Sequence, residues 1–534
     1  MKKQTTGKSF AVLSSAQIMC RVLSILYLPF LINILGDKGY GIYASAYIVS
    51  NFIYVLTNSG IPVAISKIMS EFIALENYKD AIKSFKIARA LLLALGIFMS
   101  MLMYVSADFL AGFTSSKNAT LAIKALTPTI LFTSVLTAYR GYFQGRRNMT
   151  PTAVSQVLEQ IINLVFSLTF AAVLIKKGPE VGAAGGTIGT SLGALVAVIY
   201  LIMVYNRNKH IKVNKGHEHK RIKRYSNKRL LKKILNYSIP MTVCIGLQNA
   251  GALVDLANVK SRLVVAGFQS SKDSLFGWLT KYNSFVGVPI GIISCLAAAI
   301  LPAISGAVAL NDKSEVERKI NYAFRLCFLI SVPSYIGLAI LSKPIYGLLH
   351  IRGGYRLMLF GAVVIILMST VQIQTTILQG IGKLYIVTFY SILGLVAKII
   401  TNYFLVGIKS VNIMGAVAGN VVCFLIPLIL NYITINRILH IKVNLYKSFK
   451  KPFISSLIMG LMVMGIYLGL TSLLSYIVKG YVNNAISTVC AIITGGLVYF
   501  YALIVFRGIT KEDLNLIPRR ILNLMPNKMI EMIK

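Results

Sequence analysis

The chain has 534 residues, of which 56% are hydrophobic and 13% are charged, and its formal net charge at pH 7 is +39. This composition is typical of a multi-pass membrane protein and excludes a soluble globular one. In a soluble protein the excess of Lys and Arg would indicate nucleic-acid binding, but in a membrane protein the position of these charges relative to the spans decides their role. We therefore expect no nucleic-acid partner.

Runs of about 20 mainly apolar residues predict membrane-spanning helices. Six such runs precede a polar, basic stretch, and they lie at 10–35, 39–66, 87–107, 119–143, 151–175 and 181–205. Eight follow it, at 236–266, 275–305, 320–342, 356–380, 384–408, 412–436, 453–478 and 484–506. The sequence thus predicts an all-α polytopic membrane protein with 14 transmembrane helices.

The Lys and Arg residues outside these spans concentrate on the side of the N-terminus. They are abundant in the 67–89 loop, the 206–235 stretch, the 437–451 loop and the C-terminal tail. Because loops rich in Lys and Arg stay in the cytoplasm, both termini and the 206–235 stretch are predicted to be cytoplasmic. The 343–356 loop, which also carries basic residues, is a local exception to this rule.

The second predicted helix is interrupted by polar and helix-breaking residues, including Asn58, Gly60 and Pro62. Lipid disfavours such residues, so we expect them to face other helices or a water-filled cavity. Proline also frees a backbone carbonyl and favours bending of the helix. A related sequence recurs around Pro302, which predicts hinges at Pro62 and Pro302.

The similarity around these two prolines is part of a longer internal repeat. Arg89 recurs as Arg325, and Gln144 with Gly145 recurs as Gln379 with Gly380, at nearly constant separation. Six helices per copy is an even number, which predicts parallel repeats related by an axis along the membrane normal. We expect an N-lobe at 1–205, a basic linker at 206–235, a C-lobe at 236–436, helices 13 and 14 within 437–507, and an amphipathic cytoplasmic tail at 508–534.

Ionisable residues deep inside a span are costly and are therefore candidates for function. Arg21 lies about a dozen residues into helix 1, where it could line a cavity, although a packing role within the lobe is the alternative. Arg262, in the second half of helix 7, is a further candidate cation for the cavity wall. Both arginines carry the donor geometry that phosphate groups require.

Other basic residues lie closer to the ends of their helices. Lys281 lies about two turns inside helix 8, so its head group either reaches solvent or lines a cavity. Arg89, Arg140 and Arg325 lie near predicted cytoplasmic ends, where contact with solvent or with lipid phosphates is expected.

Asp255 in helix 7 and Lys398 in helix 11 lie in the middle of their predicted spans. Either one alone would be expected to become neutral, so the sequence predicts that they form a charge pair within one lobe. This pair could serve the transport cycle or only hold the lobe together. Glu159 in helix 5 is a further candidate for charge coupling, and a structural polar network with Gln156 and Gln160 is its alternative.

Signatures of metal or nucleotide chemistry are absent from the sequence. The histidines have no HExxH spacing, and no GxxxxGK[ST] phosphate loop is present. We therefore expect no metal site, no cofactor and no ATP-driven pump.

Three segments carry a resemblance to a known family: SSAQIMCRVLSILYLPFLINILGDKGYGIYASAYIVSNFIYVLTNSGIPVAISKIMSE, LFGWLTKYNSFVGVPIGIISCLAAAILPAISGAVAL and ILQGIGKLYIVTFYSILGLVAKIITNYFLV. They resemble the polysaccharide-biosynthesis branch of the MOP exporter superfamily, and within it the stage V sporulation protein B type and the related MurJ lipid II flippases. The resemblance covers nearly the whole chain.

The resemblance implies a monomeric flippase, not an enzyme, in the bacterial plasma membrane. Its substrate would be an undecaprenyl-pyrophosphate-linked saccharide, moved to the outer leaflet by alternating access and coupled to a monovalent cation, a proton or the membrane potential. Partners would be the lipid-linked glycan and membrane lipids.

The resemblance also assigns roles to individual residues. Arg21, within the run Cys20 to Leu23, is similar to an arginine that lines the cavity in MurJ-like proteins. Asn58 lies near the position of another cavity arginine, and Lys281 corresponds approximately to a third. Helices 13 and 14 would form a groove for the lipid tail.

Three alternatives stay open. A cation-coupled multidrug exporter of the same superfamily would need an acidic cavity, whereas the charges predicted inside these spans are mostly basic. A flippase for teichoic acid or exopolysaccharide units would use the same chemistry on a different glycan. A scaffold without transport activity would give the charges inside the spans no purpose.

Overall fold

The computed structural model describes residues 6–146, 148–207, 224–309, 313–439, 444–476 and 480–508. Along these residues the chain forms α-helices and two short 3-10 helices, Lys117–Ala119 and Ile175–Lys177, and it contains no strand. The α-helices are α1 Thr6–Asn58, α2 Gly60–Ala74, α3 Tyr78–Val105, α4 Ala107–Phe113, α5 Thr120–Gly145, α6 Thr150–Leu174, α7 Pro179–Arg207, α8 Asn227–Val265, α9 Lys272–Ala309, α10 Lys313–Ile340, α11 Ser342–Leu348, α12 Tyr355–Gly361, α13 Val364–Gly380, α14 Leu384–Leu405, α15 Met414–Leu439, α16 Leu445–Leu474 and α17 Tyr481–Val505.

This all-α, multi-pass architecture confirms the predicted fold class. Among the described residues, ten helices are long and apolar enough to cross a membrane. The number rises to eleven when α12 and α13, which are bent by 54° at a short break, count as one span. The predicted total of 14 stays a prediction.

The first helix is too long for a single span. It has 53 residues, which at about 1.5 Å per residue is far more than the roughly 30 Å of a bilayer core. The backbone leaves helical geometry at Gly36, where φ is 66° and ψ is −179°. A positive φ of this size favours glycine, and the break lies between the predicted helices 10–35 and 39–66.

The helix assignment is also interrupted between α1 and α2 at Ser59, although the backbone there keeps helical torsions (φ −85°, ψ −43°). Pro62 lies in the first turn of α2, where the missing N–H of proline costs no helical hydrogen bond. Pro302 lies within α9, and its side chain is not among those that the structure describes. Bending at either proline during function stays a prediction.

The chain divides into two compact units, at residues 1–277 and 278–534. The first unit therefore extends beyond the predicted basic linker and includes α8. Residues 208–223 of that linker and the predicted amphipathic tail from residue 509 onward lie outside the described residues. The five-segment organisation read from the sequence stays a prediction.

Each unit has its own apolar core. In the first unit, aromatic rings from α5 and α7 pack around Phe85 of α3, whose ring centroid is 4.7 Å from that of Tyr142. In the second unit, α10 and α13 pack with α16 and α17 around Phe324, Ile373 and Met459. The two helices outside the predicted repeat thus share the core of the second unit.

Helices α6 and α7 approach each other closely because α7 presents glycines to α6. A Cβ at Gly185 would lie 2.6 Å from the Phe170 carbonyl oxygen, and a Cβ at Gly193 would lie 2.5 Å from that of Glu159. Neither position has room for a larger residue. Small residues of this kind permit close packing of membrane helices, and here they fix the backbone of α6 at Glu159.

Candidate functional site

A group of polar side chains joins α1, α5 and α6 within the first unit, and we call it the α1–α5–α6 cluster. Arg140 of α5 donates from Nη2 to Glu159 Oε2 at 2.7 Å and from Nε to Ser155 Oγ at 3.0 Å. Gln160 Nε2 donates to Ser24 Oγ of α1 at 3.0 Å. The cluster thus contains Ser24, Arg140, Ser155, Glu159 and Gln160.

The cluster lies inside the helices that contribute to it. Arg140 is about 8 Å before the end of α5, and Glu159 is about 14 Å after the start of α6, at about 1.5 Å per helical residue. The side chains of Arg140 and Glu159 are 14% and 24% exposed. The expectation that Arg140 only contacts solvent or lipid phosphates is therefore wrong, because the Glu159 carboxylate binds its guanidinium.

Helix α1 passes beside this ion pair at the level of Ser24. The Ser24 hydroxyl accepts from Gln160 Nε2, the residue that follows Glu159 in α6. Arg21 lies three residues before Ser24 in α1, but its side chain is not among those that the structure describes. Its predicted role in the cavity therefore stays a prediction.

Asn58, the second predicted cavity residue, joins α1 to α5. Its Nδ2 donates to Thr133 Oγ1 at 3.4 Å, and Thr137 Oγ1 donates to its Oδ1 at 3.2 Å. The side chain is buried. In this structure both ends of the amide bind helix α5, and a contact with substrate is a prediction for another conformation.

A second polar group lies where α8 meets the start of α9, and we call it the α8–α9 ion pair. Lys260 Nζ is 2.6 Å from Asp273 Oδ1 and 2.7 Å from Ser45 Oγ. Asn118 Nδ2 donates to the other oxygen of Asp273 at 3.2 Å. The Lys260 side chain is fully buried and that of Asp273 is 5% exposed, so water does not screen this pair.

Two glycines allow α1 to approach this pair. Gly41 lies against the backbone of Asp273 with no room for a Cβ, and a Cβ at Gly277 would lie 2.6 Å from the Asp37 carbonyl oxygen. The sequence analysis did not single out Asp273, because it follows a short polar turn and resembles a solvated residue. The glycines in α1 and α9 were the available signal of a close approach.

The other predicted charged residues have different positions. Asp255 and Lys398 are both partly buried, but α8 belongs to the first unit and α14 to the second. Their pairing stays a prediction. Arg262 is partly buried in α8, whereas Lys281 in α9 is fully buried. Burial of Lys281 contradicts the expectation of a solvated head group and leaves the cavity role as its prediction.

The α1–α5–α6 cluster lies in the part of the chain that matches a known family. The sequence model of the polysaccharide biosynthesis protein family matches residues 6–308, which is more than half of the chain. The chain belongs to this family. Two relatives in Bacillus subtilis (strain 168) extend the similarity over nearly the full length.

The lipid II flippase MurJ of that organism is 26% identical over 517 residues, which cover 92% of this chain and 93% of that protein. The stage V sporulation protein B is 25% identical over 526 residues, covering 97% of this chain and 98% of that protein. These relatives confirm the predicted membership in the branch of the MOP superfamily that includes both types.

Solved structures show the same fold. The structure described as lipid II flippase MurJ in an inward closed conformation aligns with a TM-score of 0.66 at 16% identity, covering 93% of this chain and 98% of that chain. An inward-facing multidrug resistance transporter of the MATE family aligns with a TM-score of 0.63 at 16% identity, covering 80% and 98%. At this identity the likeness establishes the fold alone.

Proposed function

We propose that this protein is a flippase that moves an undecaprenyl-pyrophosphate-linked saccharide, lipid II or a related cell-wall precursor, from the cytoplasmic to the outer leaflet of the bacterial plasma membrane by alternating access. The observation that carries the proposal is the full-length similarity to a lipid II flippase and to a sporulation protein of the same branch. The names of these relatives describe a lipid II flippase and a sporulation protein, and the chain is a transport protein and not an enzyme.

The charge distribution supports an anionic substrate. A diphosphate that leaves water for a low-dielectric cavity needs cationic partners, and the guanidinium fork of arginine fits phosphate oxygens well. Arg140 lies inside the first unit, where it binds the Glu159 carboxylate and the Ser155 hydroxyl. Arg21, Arg262 and Lys281 are the further cations that we assign to the transport pathway.

The second candidate function is cation-coupled export of drugs, which the likeness in fold to a multidrug transporter brings into consideration. An exporter of organic cations would need an excess of carboxylates in its cavity. In the α1–α5–α6 cluster the single carboxylate, Glu159, is neutralised by Arg140. This balance favours the flippase, and coupling to a cation, a proton or the membrane potential is left open by our proposal.

The proposed function is tested by expressing the protein in cells depleted of their own lipid II flippase. We expect restored growth and a fall in the lipid-linked precursor that accumulates on the cytoplasmic side. A matched culture that expresses a MATE-type exporter controls for the fold alone. Unchanged precursor accumulation, together with resistance to cationic drugs, would favour the second candidate.

A further inference from the structure

The Arg140–Glu159 ion pair has features that a purely structural contact does not need. Both charges lie well inside their helices, where exposure to lipid is costly. Both side chains are nevertheless partly exposed, at 14% and 24%. Ser155 Oγ accepts from Arg140 Nε, and Gln160, the residue after Glu159, donates to Ser24 Oγ, so neutral polar side chains of α1 and α6 accompany the pair.

The guanidinium also retains binding capacity. An arginine has five N–H donors, and among the described residues Arg140 uses one toward Glu159 and one toward Ser155. A phosphate group binds arginine through two parallel hydrogen bonds and carries more negative charge than a carboxylate. A diphosphate can therefore compete with Glu159 for the same guanidinium.

Resting on the proposed function, we propose that Arg140 is a binding residue for the diphosphate of the lipid-linked substrate and that Glu159 occupies it until the substrate arrives. In the unloaded protein the carboxylate neutralises the guanidinium and prevents the high cost of an unpaired charge within the membrane. On loading, the diphosphate takes the place of the carboxylate. Glu159 thereby lowers the affinity of the site, since a diphosphate at this guanidinium either displaces the carboxylate from Nη2 or binds beside its negative charge.

Helix α1 takes part in the same cluster through Ser24, whose hydroxyl accepts from Gln160 Nε2 at 3.0 Å, and Arg21 lies three residues before Ser24 in that helix. A diphosphate has two phosphate groups, and one cation cannot neutralise both. Arg140 supplies a cation from α5 that is independent of the one on α1, and the site then spans two helices.

The test is equilibrium binding of radiolabelled undecaprenyl diphosphate to the full chain in nanodiscs, with the neutral lipid undecaprenol as competitor. We expect Arg140→Gln to weaken binding about tenfold or more, because it removes the two charge-assisted hydrogen bonds of the guanidinium to phosphate. Glu159→Gln should instead strengthen binding severalfold, because it removes the competitor and leaves the arginine. Only a competitive role for Glu159 predicts that the two substitutions change the affinity for undecaprenyl diphosphate in opposite directions.

Two controls keep the outcomes separate. Arg89→Gln removes a partly buried arginine that binds Tyr139 of α5 at 3.1 Å without a carboxylate, and it should leave affinity unchanged. The double substitution Arg140→Gln/Glu159→Gln leaves no unpaired charge, so it should fold normally and still bind weakly. Unchanged or weaker binding by Glu159→Gln, or native affinity in the double variant, would overturn this inference and leave the proposed function standing. A native protein that does not prefer undecaprenyl diphosphate to undecaprenol would overturn the proposed function as well.

Discussion

Two ion pairs within the first unit differ in how water reaches them. The Arg140–Glu159 pair is partly exposed, whereas the Lys260–Asp273 pair is almost completely buried. A buried pair must recover a large desolvation penalty from its mutual attraction and from additional hydrogen bonds. Ser45 and Asn118 supply those bonds to the α8–α9 ion pair. We therefore assign the partly exposed pair to binding and the buried pair to holding α1, α8 and α9 together.

The structural role of the buried pair predicts a non-additive response to mutation. Asp273→Asn or Lys260→Met alone should each destabilise the protein by about 3 to 5 kcal/mol, since each leaves an uncompensated buried charge. The double variant should lose much less than the sum of the two. Thermal unfolding of the purified protein in detergent measures these changes.

An exposed pair in the same unit provides the control for this experiment. Lys124 and Asp108 are 3.0 Å apart, with side chains that are 31% and 72% exposed. Asp108→Asn should change the unfolding temperature little, because exposed pairs contribute little to stability. Strictly additive losses at Lys260 and Asp273 would show that these two residues do not stabilise each other.

Arg21 makes a prediction of its own about transport. Arg21→Lys keeps the positive charge but loses bidentate geometry, and it should impair precursor flipping, whereas Arg21→Ala should abolish flipping without removing the protein from the membrane. Growth of flippase-depleted cells and membrane abundance measure the two effects. Full complementation by Arg21→Ala would make Arg21 a packing residue.

At the scale of helices, the contact between α6 and α7 controls where Glu159 lies. The glycines of α7 allow its backbone to touch that of α6, and the contact at Gly193 is with the carbonyl of Glu159 itself. The ion pair to Arg140 thus depends on residues that carry no charge and lie on a third helix.

A larger residue at this contact should move α6. We expect Gly193→Leu to lower the free energy of unfolding by about 1 to 3 kcal/mol through overpacking and to weaken undecaprenyl diphosphate binding. Gly112→Leu is the matched control, because a Cβ at Gly112 meets nothing within 4 Å. Equal unfolding temperatures for the two variants, measured by thermal scanning, would contradict tight packing at Gly193.

The sequence predicts helices because each predicted helix corresponds to a local run of apolar residues. The break in α1 at Gly36 lies between two predicted helices, and the interruption at Ser59 lies near the predicted hinge at Pro62. The close packing of α6 and α7 is also visible as a series of glycines. These features depend on residues that are close together along the chain, so they can be read from the sequence.

The polar contacts are less accessible from the sequence, because they join residues whose distance depends on how helices pack. Arg140 and Glu159 lie on different helices, separated by a helix end and a turn. Asp273 follows a polar turn, yet burial by α1 makes it part of the core. The sequence identified Glu159 as a charge inside a helix but could not provide its partner.

At the scale of the whole molecule, the distribution of Lys and Arg predicts which loops lie in the cytoplasm. With the six native cysteines replaced by alanine, a cysteine at Asn214 in the basic linker should resist a membrane-impermeant thiol reagent in intact cells. A cysteine at Lys38, which is exposed beside the break in α1, should react. Labelling at 214 in intact cells would overturn the predicted topology.

The buried α8–α9 ion pair also limits how this chain can evolve. A single substitution at Lys260 or Asp273 creates a variant with one unpaired buried charge, which costs about 3 to 5 kcal/mol. This cost is a large share of the roughly 5 to 15 kcal/mol by which a typical protein is stable. Lineages that lose one charge are therefore removed unless the other changes at nearly the same time. Among descendants of this protein, we expect positions 260 and 273 to covary. Both should be charged, both should be neutral, or the acidic and basic residues should have exchanged positions.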